Sequence, residues 1–285
     1  MKPLAVRFIA LLALSCSIIS CGKKIKQLND ETYSRHLQEH VKLTIITTPI
    51  PDDKSELNLL LLNDGQYAEQ LHLKETLTEL VKKKAIQPLV IVAIQAGNRE
   101  QEYGVAGYPD FKNRGSKADK YAAFIDNELY AYVKKKVGVR KFKSVVIAGC
   151  SLGGLSAFDI AWNNADKIDK VGIFSGSFWW RDKDTAAPDY TNEKNRIMLS
   201  YIKSSRKRPH LQYWLYAGAK EETGDRDKDG VIDVVDDTKD LIELIKSKKV
   251  AAPSDIIYKE SADGTHDYAS WAKVFPEFLA WAFGK

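Results

Sequence analysis

Gly149-Cys150-Ser151-Leu152-Gly153 is a G-x-S-x-G sequence. The apolar β-type run Ser144–Ala148 leads into it, and a helical pattern over residues 152–163 follows. In that strand–turn–helix setting the turn is sharp enough to strain the serine backbone and to expose its hydroxyl at the sheet edge. Small residues two before and two after the serine keep neighbouring side chains clear. The helix N-terminus aims its free amides at developing negative charge. A serine so placed attacks a carbonyl carbon once a base takes its proton. The amide of Leu152, the residue after it, is then one donor to the oxyanion.

A second pattern speaks of a cation. Residues 225–236 read D-x-D-x-D-G-x-I-D-x-x-D. In an EF-hand loop, positions 1, 3, 5 and 12 supply carboxylates and position 7 a backbone carbonyl, with glycine at 6 for the turn. Asp225, Asp227, Asp229, Val231 and Asp236 fill those ligand slots, although position 12 is Asp and not Glu. A strand precedes the loop, so it is not a full EF-hand. The expected guest is a structural Ca2+ that stiffens the loop and caps a helix starting near Asp237; no cofactor is expected for the chemistry itself.

The elements that must carry these residues follow from hydrophobic pattern. The chain has 285 residues, 44% hydrophobic and 28% charged, which is globular composition. Runs at 57–62, 88–94, 144–148, 171–174, 211–217 and 255–258 are nearly continuous apolar segments, as strands buried on both faces require. Val41–Ile45 alternates like a half-buried strand. Helical spacing marks residues 68–84, 117–137, 152–163, 237–248 and 268–283. Such alternation predicts one α/β domain over residues 31–285, with a mostly parallel, doubly wound sheet and helices on both faces. The net charge is +5 and the basic residues are scattered along the chain, so no nucleic-acid partner is expected.

At the N-terminus, Lys2 and Arg7 precede an apolar run, Phe8 to Ile19. That is the length of a signal h-region and short for a membrane span. Ile18-Ile19-Ser20-Cys21-Gly22 resembles a bacterial lipobox; Cys16 is a poorer match. The expectation is a signal peptide over 1–20, lipidation at Cys21 and a polar tether over 21–30. The protein would then sit outside the cytoplasm on the cell envelope, at the outer membrane, held only by its lipid anchor. Cys150 would be the one remaining thiol, so no intramolecular disulfide is expected.

From about residue 32 to 283 the chain resembles the putative-esterase branch of the α/β-hydrolases. That branch includes enterochelin esterases, S-formylglutathione hydrolases, feruloyl and acetyl-xylan esterases, and mycolyltransferases. The resemblance is carried by Leu62-Asn63-Asp64-Gly65-Gln66, Asn98-Arg99-Glu100-Gln101-Glu102-Tyr103, Phe124-Ile125-x-x-Glu128-Leu129, the elbow, and Gly264-Thr265-His266 with Trp271. It implies a Ser–His–acid triad with Ser151 as nucleophile. Of the five histidines, His36, His40, His72 and His210 lie in strand or surface-helix patterns. His266 follows the last strand and completes the order serine, acid, histidine. A Gly-x-x-Asp/Glu pattern after the 211–217 strand implies Glu221 as the acid, with Glu222 and Asp225 as rivals. The resemblance also implies Gln66 as the second oxyanion amide. Tyr103, Tyr108 and the run Ser175–Trp180 should border the pocket, and Arg99 should bind an anionic group or pair with Glu102.

The function these residues imply is an extracytoplasmic serine esterase acting on an acylated carbohydrate, a siderophore ester or another small-molecule or polysaccharide ester. An acyltransferase would use the same residues. A non-catalytic binding lipoprotein on a hydrolase scaffold is the remaining alternative, because fold alone does not make an enzyme.

Overall fold

The computed structural model describes residues 24–285. The signal segment 1–20 and Cys21 lie outside the described residues. Eight strands form one sheet: β1 Lys26–Ser34, β2 Glu39–Thr47, β3 Asn58–Asn63, β4 Leu89–Ile94, β5 Val145–Cys150, β6 Lys170–Phe174, β7 Gln212–Gly218 and β8 Ile256–Ser261. Their order is β1-β2-β4-β3-β5-β6-β7-β8. β3 to β8 are mutually parallel, whereas β1 and β2 form an antiparallel hairpin that joins β4 antiparallel. The central strands β3, β4 and β5 are buried at every position. This is why their sequences are almost pure Leu, Val, Ile and Ala.

Helices cover both faces. α1 Leu73–Lys82, the one-turn α2 Arg99–Glu102, α3 Ala118–Ala123, α4 Tyr130–Val137, α5 Leu152–Asn163, the one-turn α6 Asn192–Asn195, α7 Ile197–Ser204, α8 Asp233–Ser247 and α9 Tyr268–Phe283 follow in chain order. A π-helical stretch, Phe124–Leu129, joins α3 to α4. One apolar core holds side chains of α4, α5, α7 and α8 against one face of the sheet. A second holds α1 and α9 against the other. The expected mostly parallel sheet with helices on both faces is therefore present.

Three elements differ from the sequence expectation. The tether was expected to run to Asp30, but Lys26–Asp30 belongs to β1. β1 is an edge strand whose side chains are largely exposed, so no apolar pattern marks it. It is held by pairing with β2 and by side chains such as Ser34, which donates to Glu128 (2.8 Å). α7 was not anticipated, being a single short helix after a long irregular loop. α8 starts at Asp233, before the expected Asp237, so the acidic loop runs directly into its first turn.

No helix among the described residues is long and apolar enough to cross a membrane.

Candidate functional site

In an open α/β sheet, ligands meet the loops at the carboxyl ends of the parallel strands. Here those loops carry Gln66 after β3, Arg99 after β4, Ser151 after β5, Ser175 and Ser177 after β6, Glu221 after β7 and His266 after β8. Ser151 has φ 55° and ψ −123°. The glycines around it are steric requirements: a Cβ on Gly149 would lie 2.3 Å from the Gly153 carbonyl oxygen.

The structure brings together three of the residues read from the sequence. Ser151 Oγ lies 2.9 Å from His266 Nε2, and His266 Nδ1 lies 2.7 Å from Glu221 Oε2. A carboxylate only accepts, so Nδ1 carries the ring proton and the neutral ring's Nε2 is left as an acceptor facing the Ser151 hydroxyl. Glu221 is 1% exposed and His266 39% exposed, so the acid is buried while the base meets solvent. Two backbone bonds tie the loops of acid and base together: Ala219 N–H to Ser261 O and Lys220 N–H to Gly264 O.

The rivals for the acid are engaged elsewhere. Glu222 accepts the Val234 amide at the start of α8 (2.9 Å), and burial pushes its carboxyl up. Asp225 accepts the Gly230 amide within its own loop (3.0 Å).

Glu221 has two further donors that the sequence did not single out. Ser175 Oγ donates to Oε1 at 2.5 Å, and the Gly218 amide donates to the same oxygen at 2.6 Å. Ser175 in turn accepts from Trp271 Nε1 (2.8 Å), whose ring stands edge-on to His266 at 5.1 Å. Ser175 thus holds the Glu221 carboxylate in place. A hydrogen bond to a charged group contributes about 1.5–3 kcal/mol. Ser175→Ala is expected to lower kcat by roughly tenfold or more, with KM held, and to move the acidic limb of the pH–rate profile. A merely structural role would lower stability and leave that limb in place.

Leu152 and Gln66 lie at the starts of α5 and of the 3-10 turn Gly65–Tyr67. First-turn amides have no intrahelical acceptor, which leaves both available for an oxyanion. The 3-10 turn sits hard against β4, because a Cβ on Gly65 would lie 2.4 Å from the Ala93 carbonyl carbon. Asp64, beside it, is clamped by Arg99 through Nε–Oδ1 (2.7 Å) and Nη2–Oδ2 (2.9 Å). Arg99 therefore pairs with Asp64 and not with Glu102, which accepts the Gly97 and Asn98 amides instead. The Asp64 amide donates to Tyr103 Oη (2.9 Å).

The aromatic rim differs from expectation. Tyr103, Phe178 and Trp180 are fully buried in the core, Tyr103 edge-on to Tyr121 of α3 and Phe178 edge-on to Phe158 of α5. Tyr108 is 49% exposed but faces Tyr201. The aromatics that continue from His266 are Trp271, Tyr268 and Tyr67, in successive contacts of 5.1, 4.9 and 4.6 Å between centroids. Ser177 Oγ lies 3.4 Å from the Ser151 hydroxyl.

In the acidic loop, carboxylate oxygens of Asp225, Asp227 and Asp229 lie within 4.8 Å of one another. Asp225 Oδ1 is buried with no hydrogen-bond partner, a condition a cation would relieve. The Val231 amide donates to Asp229 Oδ1 (2.8 Å), and Asp236 stands in the first turn of α8. The loop is tied to the body by Arg226, which pairs with Asp233 and with the buried Asp237; Arg196 shares Asp237.

A family model described as "Putative esterase" matches residues 34–282. Among solved structures, a ferulic acid esterase is 18% identical, with 91% of this chain and 98% of that chain covered and a TM-score of 0.66. The enterochelin esterase from Shigella flexneri is 22% identical, with 90% and 57% covered and a TM-score of 0.70. A siderophore hydrolase from Aspergillus nidulans is 16% identical, with 98% and 97% covered and a TM-score of 0.62. These likenesses show a shared fold. The chain spans under two thirds of the length of the enterochelin esterase it matches.

Proposed function

The chain belongs to this esterase family and is a carboxylic-ester hydrolase, and from that premise we propose that it is an extracytoplasmic serine esterase working through Ser151, His266 and Glu221. The observation that carries this reading is the continuous hydrogen-bonded path Ser151–His266–Glu221, at 2.9 and 2.7 Å. Ser151 Oγ attacks the ester carbonyl as its proton passes to His266 Nε2. Glu221 holds the ring and stabilises the imidazolium without taking the proton. The amides of Leu152 and Gln66 receive the oxyanion. His266 then protonates the leaving alcohol, and water, activated by the same nitrogen, releases the acyl group.

The exposed Tyr67 and the half-buried Tyr268, backed by the buried Trp271 beside His266, suit a flat aromatic acyl group, since aromatic side chains stack on such groups with little entropy loss. The proposed substrates are accordingly feruloyl-type esters of carbohydrates or catecholate siderophore esters. A panel of methyl ferulate, a catecholate serine lactone and a short aliphatic aryl ester tests this. Higher kcat/KM on either aromatic ester supports the reading, and a preference for the aliphatic ester contradicts it.

Lipidation of Cys21 is part of the same proposal. A Cys21→Ser chain is expected to lose fatty-acid labelling and to leave the membrane fraction.

A structural calcium ion on Asp225, Asp227, Asp229, the Val231 carbonyl and Asp236 completes the proposal. It would fix the loop between Glu221 and α8. Because a ligand that binds only the folded state stabilises it, saturating calcium is expected to add about 2–3 kcal/mol at a hundred times Kd. Thermal melts in calcium and in excess chelator check this; coincident curves contradict it.

A further inference from the structure

We propose that the end of the sheet opposite Ser151 is a surface for anionic phospholipid headgroups, against which the enzyme stands with its site facing away. The proposal rests on the lipid-anchor reading only for bringing the protein to a membrane.

Sheet topology sets the geometry. β3 to β8 run parallel with Ser151 at their carboxyl ends. β2 is antiparallel to β4, and β1 is antiparallel to β2, with Lys26 opposite Thr47. β1 therefore begins at the amino ends of the parallel strands, so the described chain starts at the end remote from the site.

Basic residues that are scattered in sequence gather at that same end. Residues 134–143, leading into β5, hold six Lys or Arg and no acid; residues 203–208, leading into β7, hold four and no acid. Lys82–Lys84 before β4 and Lys246, Lys248 and Lys249 before β8 add to them. At the other end the balance reverses: residues 218–237 hold eight acids against three bases. Lysines in the last turn of a helix are commonly there to offset the helix dipole. That accounts for Lys82, Lys134 and Lys203. It does not account for Arg140, Lys141, Arg206 and Arg208, which lie in loops beyond the helix ends, are exposed, and make no ion pair with other described residues. Two open depressions of about 480 and 460 Å³ lie at this end, the first lined by Lys54, Arg140, Lys141 and Lys143, of which Lys143 pairs with Glu56, the second by His210, Lys249 and the acid Asp255.

Each Lys or Arg held near an anionic bilayer contributes about 1 kcal/mol, within a Debye length of roughly 8–10 Å. Several such residues on one end, and an excess of acids on the other, give the molecule one favoured orientation. The acid-rich loops around Glu221 are repelled from the surface that attracts the opposite pole.

The test uses residues 24–285, which contain the whole sheet and both apolar cores, so that no lipid chain contributes. Co-sedimentation is measured with vesicles of phosphatidylcholine alone, with equal parts phosphatidylcholine and phosphatidylglycerol, and with soluble heparin as competitor. The expected result is binding to the anionic vesicles only, lost in high salt. The combined R140E, K141E, R206E and R208E variant should bind at least roughly fivefold more weakly for each basic residue lost. Its turnover of a soluble ester and its melting curve should be unchanged, which shows that it folds. Equal binding to both vesicle types, no binding, or unaltered binding by the variant would overturn the proposal. Heparin binding that survives in the variant would mean diffuse anion attraction and overturn it too. The Cys21→Ser fractionation reads the anchor separately, because Cys21 is absent from the vesicle assay.

Discussion

Ser151→Ala is expected to remove ester turnover, with kcat falling by about a million-fold toward the uncatalysed rate, the size of loss seen when the nucleophile of a serine protease triad is replaced. Only the hydroxyl is lost, and alanine occupies the same backbone, so the melting curve should stay in place. His266→Ala should cost about as much, and the double variant little more than either single one, because nucleophile and base act as a unit. Steady-state and single-turnover rates on an activated aryl ester check both. Residual activity within tenfold of the parent in either variant would remove that residue from the mechanism.

Glu221→Gln is expected to lower kcat by about ten-thousand-fold while KM changes little. The substitution keeps the shape of the side chain but offers an amide where Oε1 now accepts from Ser175 and Gly218 and Oε2 from His266. One amide nitrogen must face a donor whichever way it turns. The ring of His266 then loses its tautomer or its orientation. Glu222→Gln and Asp225→Asn should change kcat by less than about tenfold, since Glu222 holds the start of α8 and Asp225 the acidic loop. Kinetics of the three variants side by side decide the matter. A larger loss in Glu222→Gln than in Glu221→Gln would move the acid by one residue.

How much of this was legible depends on how local the physics is. The elbow could be read because its sterics are set within a few residues: Gly149 must be small on account of Gly153. The central strands could be read because burial on both faces forces an unbroken apolar run, as in Leu59–Leu62. α5 and α9 match their expected ranges, α5 because it is apolar and buried on nearly every side and α9 because its buried positions recur along one face. β1 could not be read, since an exposed edge strand has no side-chain period to detect. The support beneath Glu221 was hidden for a different reason. Ser175 and Trp271 are 96 residues apart, and Ser175 and Glu221 are 46 apart. No spacing rule connects them; only the closing of β6, β7 and α9 does. The same holds for Arg99, whose partner is Asp64, 35 residues back, and not Glu102, three residues on. The basic pole is the converse case: its residues were visible in the sequence, but their gathering at one end depends on the strand order.

The central claim is an activated serine at the elbow. A fluorophosphonate probe added to residues 22–285, read by intact mass with Ser151→Ala as control, tests it most directly. The account predicts a single adduct on the parent protein, fast enough to compete with hydrolysis of the probe, and none on the variant. No adduct on folded, calcium-saturated protein, or an adduct that persists in Ser151→Ala, would contradict it.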